Sequence, residues 1–318
     1  MPGGIDDDYR VVIDENSLNW RDASDDELDH LIHTFAELLA PFADGRQAVL
    51  MTSAYSVECW AQVTLVNLSY TQDQRVPRDD RVRLARLLDK CRAVEPVEED
   101  LSPTVRIGDV SVEPSFGLGH AMARARTGRS MSCLIVPRGL HPSGWVTVDS
   151  DAGPVELHLL TGSETAPQFW RGVFSREQVT EHGFFSLADH AFPGLIFADD
   201  LAFHHFDGRY EDVRSWLVEL LGAISDDFAD SLTHHKGDQN QVMAVFSARG
   251  LDISPESPQT RKNASAWAQR LVTYKEREYR CEWHGKRLWD RDRVHFSLPI
   301  PEHGNRVLIG IFTEHLGT

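Results

Sequence analysis

The chain has no apolar run approaching the roughly 20 residues that span a bilayer, so no transmembrane helix is expected. It has only four cysteines, Cys59, Cys91, Cys133 and Cys281, far apart and with no CxxC pair. That argues against a disulfide scaffold or a cysteine-rich zinc module and for buried thiols in a reducing cytoplasm. The opening residues, Met1-Pro-Gly-Gly-Ile-Asp-Asp-Asp8, are acidic and lack a signal-peptide pattern. There is no internal repeat, no low-complexity tract and no HExxH or HxxxH spacing. Gly117-Leu-Gly119 lacks the third glycine and the clear preceding strand of a dinucleotide fingerprint. Basic charge is also short. The net charge of −17 excludes a protein whose whole surface binds nucleic acid. These absences point to a cytoplasmic protein with no transmembrane helix, and the leading reading assigns it no metal or cofactor.

What is present suits a packed protein of two domains. The 318 residues are enough for two ordinary cores, and a hydrophobic share of 41% with eight tryptophans argues against disorder. Residues 1–165 alternate strand and helix patterns. Tyr9–Asp14 reads as a strand ending in an acid. Ser24–Glu27 is a capping box before an apolar-periodic helix that Pro41 and Gly45 close. Strands follow at Gln47–Ser53 and Ala61–Leu68, a helix at Asp79–Lys90 and another at Gly117–Arg126. Met131–Val136 is a buried strand, and Val146–Asp149 with Val155–Leu160 a hairpin. Residues 166–318 begin with a helical, aromatic segment. Ser225 is predicted to cap one of its helices and Asp238 the next, and Ser254–Pro258 breaks the chain before a short helix at Thr260–Arg270. The fold class is α/β plus α+β: an N-terminal α/β domain, a helical middle and a small C-terminal antiparallel sheet.

The end of the chain carries the candidate site. Tyr279–Arg287, Arg293–Ser297 and Arg306–Phe312 read as three strands. Side chains alternate along a strand, which puts Arg280, Glu282, His284 and Lys286 on one face, and Arg293, His295 and Ser297 on one face of the next. A tight turn near Trp289-Asp290 unites the two polar sets on one side of the sheet. A one-residue slip in register would separate them. The united face, expected to look outward over an apolar buried one, suits metal-independent RNA cleavage. His284 and His295 would serve as base and acid, and Glu282 as an alternative base or tautomer anchor. Arg293 and Lys286 would stabilise the phosphate. The substrate's own 2′-hydroxyl is the nucleophile, so no serine or cysteine is needed. The plain alternative is a solvated sheet face with ordinary cross-strand ion pairs.

Charge is unevenly spread. Arg261–Arg306 holds 11 Lys and Arg against 6 Asp and Glu, while the remainder holds 21 against 43. A basic segment on an acidic body fits a local polyanion site, with Arg261, Lys262, Arg270, Arg280 and Arg287 as nucleic-acid contacts. Gln241–Gly250 and Thr260–Arg270 also admit a helix-turn-helix reading. Two metal readings stay open. One uses His284, His295 and His315 with Glu282 or Glu314. The other uses Asp14, Asp25, Glu27, Glu98–Asp100 and Asp149 as carboxylate ligands, although Asp25 and Glu27 are explained by helix capping. The doublets His204-His205 and His234-His235 read as surface residues.

The residues Ser254–Ser257, Glu282–Lys286, Arg293–Phe296, Val307–Ile311 and His315-Leu316 together resemble an uncharacterised bacterial family met in variable genomic islands. At a looser level the curved antiparallel sheet bearing Glu, His, Lys and Arg is similar to the barnase/RelE group of small ribonucleases and toxins. The residues lead to the expectation of a ribonuclease-like effector with RNA at the C-terminal face and a possible protein partner on the acidic N-terminal domain, and the resemblance adds a defence or toxin setting. The competing expectation is a non-enzymatic subunit that docks nucleic acid or protein.

Overall fold

Ser24 and Glu27 form the reciprocal capping box their spacing predicts, and the helix they start, α1 (Asp25–Asp44), packs Leu28, Ile32, Phe35 and Leu39 inward. This is the first helix of a computed structural model that describes residues 9–60, 62–68, 70–71, 75–136 and 142–316. Pro41 does not end α1. It removes one ladder bond in the last turn, where buried Phe42 and Ala43 hold the helix on, and Gly45 follows as the cap. The chain divides into two units, Met1–Phe169 and Trp170–Thr318. Among the described residues no helix is long and apolar enough to cross a membrane.

In the first unit β1 (Val11–Ile13), β2 (Ala48–Met51), the small pair β3 (Glu58–Trp60) and β4 (Val63–Thr64), α2 (Arg78–Lys90) and β5 (Arg92–Val94) follow α1. Then come β6 (Val105–Ile107), β7 (Val110–Val112), α3 (Phe116–Arg126), β8 (Ser132–Leu134), β9 (Gly144–Ser150) and β10 (Val155–Leu160). The strand expected at Ala61–Leu68 shrinks to β4 and a 3-10 turn at Leu65–Asn67; Ala61 itself lies outside the described residues. One eight-stranded sheet has the order β5-β2-β1-β8-β10-β9-β6-β7. Its first five strands are parallel and the last three antiparallel. Every residue of β1, β2 and β8 is buried, as strands covered on both faces require.

The second unit holds α5 (Glu181–Ala191), which follows α4 (Ala166–Arg176), then β11 (Leu195–Phe197) and α6 (Tyr210–Ala223). Ser225 does not cap a new helix. The chain continues through a π-helical turn at Ile224–Phe228 directly into α7 (Ala229–His234). That turn drops Phe228 into the core and leaves Asp226 to a two-pronged bond from Arg171, at 2.5 and 2.7 Å. Asp238 caps α8 (Gln239–Ser247) by accepting from the Asn240 and Gln241 amides, and Gly250 leaves the helix at φ +76°. The remaining elements are β12 (Asp252–Pro255), α9 (Pro258–Lys262), α10 (Ala264–Ala268), β13 (Leu271–Tyr274), β14 (Arg277–Arg280), β15 (Trp283–Lys286), β16 (Arg293–Ile300) and β17 (Arg306–Thr313).

The main sheet of this unit has five strands in the order β11-β17-β16-β15-β12, antiparallel except for the β11–β17 pair. Two expectations change here. The segment predicted as the turn of a helix-turn-helix contains β12, and the expected second helix is two short ones that share Asn263 as stop and cap. The predicted strand Tyr279–Arg287 is interrupted at Cys281-Glu282. Its first half, β14, pairs with β13 in a separate hairpin, which takes Arg280 off the polar face.

Candidate functional site

The β15–β16 register places His284 opposite His295 and Lys286 opposite Arg293, uniting the polar sets as alternation predicts. On the other side β12 sets Ser254 opposite His284 and Asp252 opposite Lys286. Alternation carries the pattern on: Asp252, Ser254 and Glu256 share that face. Glu256 was missed in the sequence because Pro255 and Pro258 read as a chain break. β12 is an edge strand, where proline costs no ladder bond. The alternation of Asp252, Ser254 and Glu256 just after a helix end was the available signal.

Both faces of this sheet are covered, which overturns the expectation of an open polar side. Trp283 and Phe296 pack edge-on against Phe228 at 5.2 and 5.0 Å between ring centroids. A Cβ on Gly285 would fall 2.5 Å from the Leu220 side chain, so α6 lies tight on this face. On the polar face the β13–β14 segment closes down. A Cβ on Gly310 would lie 2.3 Å from Cys281 Sγ, and Cys281 and Val272 form a second small core with Leu308. Arg270 is buried beneath. His295 and Arg270 are 0% exposed, and Glu256 and His284 6% each.

Glu256 Oε1 is the hub. Arg270 Nε donates to it at 3.0 Å, and the Nδ1 atoms of His284 and His295 stand 3.5 and 3.3 Å away. Neither Nδ1 is aligned for a hydrogen bond, and His295 Nε2 also has no partner. His284 Nε2 meets Ser254 Oγ at 3.2 Å. The imidazole rings are 5.2 Å apart.

Burial sets the charge state. It pushes the His295 pKa down to about 4, reinforced by His284 and Arg270 and only partly offset by Glu256. It lowers that of His284 as well, with Lys286 and Arg293 adding to the effect against the pull of Glu256. Burial alone would raise the pKa of Glu256, but its polar neighbours outweigh burial and hold the carboxyl well below its usual range, His284 and His295 where a ring proton faces it and Arg270 by its hydrogen bond. At neutral pH the cluster is one carboxylate, one guanidinium and two neutral imidazoles.

The other predicted residues fall around this hub. Glu282, the expected carboxylate, faces Arg261 at 3.9 Å instead. Lys286 pairs with Asp252 at 3.7 Å. Arg293 is half-buried, its Nε is enclosed, and it has no hydrogen-bond or carboxylate partner among the described residues. Burial and Arg270 lower its pKa, against Glu256, Asp252 and Asp290. The expected nucleic-acid contacts do not form one surface. Arg270 is in the core and Arg287 is bound to buried Asp292 at 3.0 Å. Arg280 lies 4.4 Å over the Trp267 ring and donates to the Trp267 carbonyl. Arg261 also lies over that ring, at 5.7 Å, and Lys262 is exposed. Ser297 is spent inside β16, accepting from the Leu308 amide in a bulged stretch. Glu256, His284 and His295 bring one ligand atom each within 4.8 Å of one another and could hold a metal ion. His315, expected in such a set, is exposed just beyond β17.

The first unit has its own crevice. After β1 the chain winds to one side of the sheet and later returns to the other through α3 and β8, so the strand order switches between β1 and β8. At their carboxyl ends is a cleft of about 250 Å³ lined by Asp14, Asn16, Asn19, Glu113 and Val136. Burial raises the Asp14 pKa to about 6, against hydrogen bonds from Ser115 and the Asn16 amide. Glu15 accepts from the Gly117 amide at 2.7 Å, so the start of α3 already carries a carboxylate. Gly117 and Gly119 serve close packing: a Cβ would lie 2.2 Å from the Ile13 carbonyl and 2.3 Å from that of Asp100. Asp25 and Glu27 belong to the α1 capping turn, and Asp149 stands opposite Arg106 in the β6–β9 register.

Comparison with protein families, curated proteins and solved structures finds no match to this chain.

Proposed function

We propose that the C-terminal unit is a ribonuclease-like effector that cleaves an RNA phosphodiester at the Lys286–Arg293 end of the polar sheet face. The observation that supports this best is Arg293, a half-buried guanidinium with no hydrogen bond or close ion pair among the described residues and only longer-range attraction to Glu256, Asp252 and Asp290, two positions from His295 on one strand. A cation left unpaired in a partly dry site is suited to a phosphate. His284 is neutral and so able to take the 2′-hydroxyl proton. The 2′-oxygen then bonds phosphorus, the bond to the 5′-oxygen breaks, and that oxygen takes a proton from the Lys286 ammonium or solvent. His295, neutral and fully enclosed, is a poor acid at neutral pH and holds His284 in place. The defence or toxin setting rests on the family resemblance alone, and the acidic N-terminal unit is assigned the protein partner.

Burial of both imidazoles favours a second reading, a binding subunit that uses Arg293 and Lys286 to dock an anionic partner without chemistry. Labelled single-stranded RNA, with and without EDTA, separates the two. Cleavage leaving 2′,3′-cyclic phosphate ends, reduced about 10²–10⁴-fold in His284→Ala, supports the enzyme. A wild type that binds RNA without cutting it, and loses binding in Arg293→Glu, supports the subunit.

A further inference from the structure

We propose that Glu256, His284 and His295 form a binding site for a divalent transition metal of the zinc class. Two of the three spacings are those of a coordination shell, and all three ligand atoms lie within 4.8 Å of one another. Bonds of about 2.0–2.2 Å at tetrahedral angles set neighbouring ligand atoms roughly 3.3–3.5 Å apart. The two nitrogen–oxygen separations here are 3.5 and 3.3 Å. Protein donors that approach this closely ordinarily share a hydrogen bond. Both Nδ1 atoms stand beside the carboxylate oxygen without aiming a proton at it, and both are shut away from water. A cation between the three atoms gives each lone pair its partner.

The surroundings of Glu256 and His284 match what metal ligands require, whereas His295 Nε2 has no outer partner among the described residues. A metal takes the neutral imidazole, and the ring's second nitrogen is usually held by an outer partner. Ser254 Oγ holds His284 Nε2 at 3.2 Å, which suits a proton on Nε2 and a bare Nδ1. Arg270 steadies Glu256 at 3.0 Å, and a carboxylate oxygen has lone pairs for both a guanidinium and a metal. Two histidines and one glutamate leave a fourth position open, the pattern of catalytic and not structural zinc. The cations Arg270, Arg293 and Lys286 nearby disfavour Mg²⁺ and Ca²⁺, which rely on accumulated negative charge. They leave the metals that bond strongly to imidazole. The inference does not rest on RNA cleavage and competes with it at His284, whose Nδ1 would hold the metal and whose Nε2 would keep its proton, leaving no nitrogen to serve as base; metal uptake is read directly.

The test is calorimetric titration of Zn²⁺ into the tag-free full chain after stripping with EDTA and dialysis. One equivalent is expected with a Kd below about 1 µM. His295→Ala or Glu256→Gln should weaken it at least about 100-fold and Ser254→Ala about 10-fold. The control His234→Ala/His235→Ala should not change it. Circular dichroism checks that each variant is folded. Because His295 lies in the core, Co²⁺ added to wild type gives a reading that needs no variant. Visible d–d bands of four- or five-coordinate Co²⁺ without thiolate charge transfer support the site, and a pale six-coordinate spectrum overturns it. So does a wild type with no Zn²⁺ binding tighter than about 100 µM, or tight binding that survives in folded His295→Ala.

Discussion

Arg270 and Glu256 form a buried ion pair whose removal has a calculable cost. Arg270 is 0% exposed and donates to Glu256 Oε1 at 3.0 Å and to the Ala266 carbonyl at 2.7 Å. Its own carbonyl accepts from the Cys281 amide at 2.8 Å, tying α10 to the strand break before β15. Replacing one partner strands the other charge without water, which costs about 3–5 kcal/mol. Arg270→Met and Glu256→Gln are each expected to destabilise the second unit by that amount, a large share of a total near 5–15 kcal/mol. The double variant removes both charges together. It should cost clearly less than the sum, with a coupling of roughly 2 kcal/mol or more, because the desolvation penalty is no longer left uncompensated. Urea unfolding in EDTA, followed by tryptophan fluorescence and by circular dichroism, measures all four corners of the cycle. Single costs under about 1 kcal/mol, or costs that simply add, would show that the guanidinium and carboxylate do not depend on each other and would refute the reasoning.

Two further outcomes follow from other parts of the chain. Asp14, pushed up to about 6, binds its proton more tightly folded than unfolded; its contribution is complete below the ordinary value of 3.8 and is lost as pH rises through about 6. The loss amounts to about 3 kcal/mol by pH 8, so Asp14→Asn should be more stable than wild type at pH 8 and close to it at pH 4; an equal offset at both pH values in urea titrations counts against burial as the cause. Phe228→Ala should cost about 3–5 kcal/mol, because it empties the space between Trp283 and Phe296. A change below about 1 kcal/mol in the unfolding midpoint would mean the π-helical turn does not carry that core.

Local rules made much of this protein legible. The α1 capping box, the Asp238 cap, the hydrophobic runs of β1 and β8, and the β15–β16 register all follow from short-range periodicity and cap chemistry, which the sequence states directly. Alternation paired His284 with Lys286 and Arg293 with His295, and the β15–β16 register joined the two pairs on one face. Where long-range packing competes with a local signal, the tertiary structure decided. Pro41 stays in its helix because Phe42 and Ala43 are held in a core, and Ser225 fails as a cap because Phe228 has a better place below it. The same holds at the site. Whether a polar strand face meets water or protein depends on what folds over it, and here Arg270 and Cys281 do. That cover removed the open acid–base pair, brought in Glu256 from across a two-proline stretch, and left both imidazoles neutral. Residue types and alternation were written in the chain. Their desolvation, and with it their protonation, exists only once distant segments close on them.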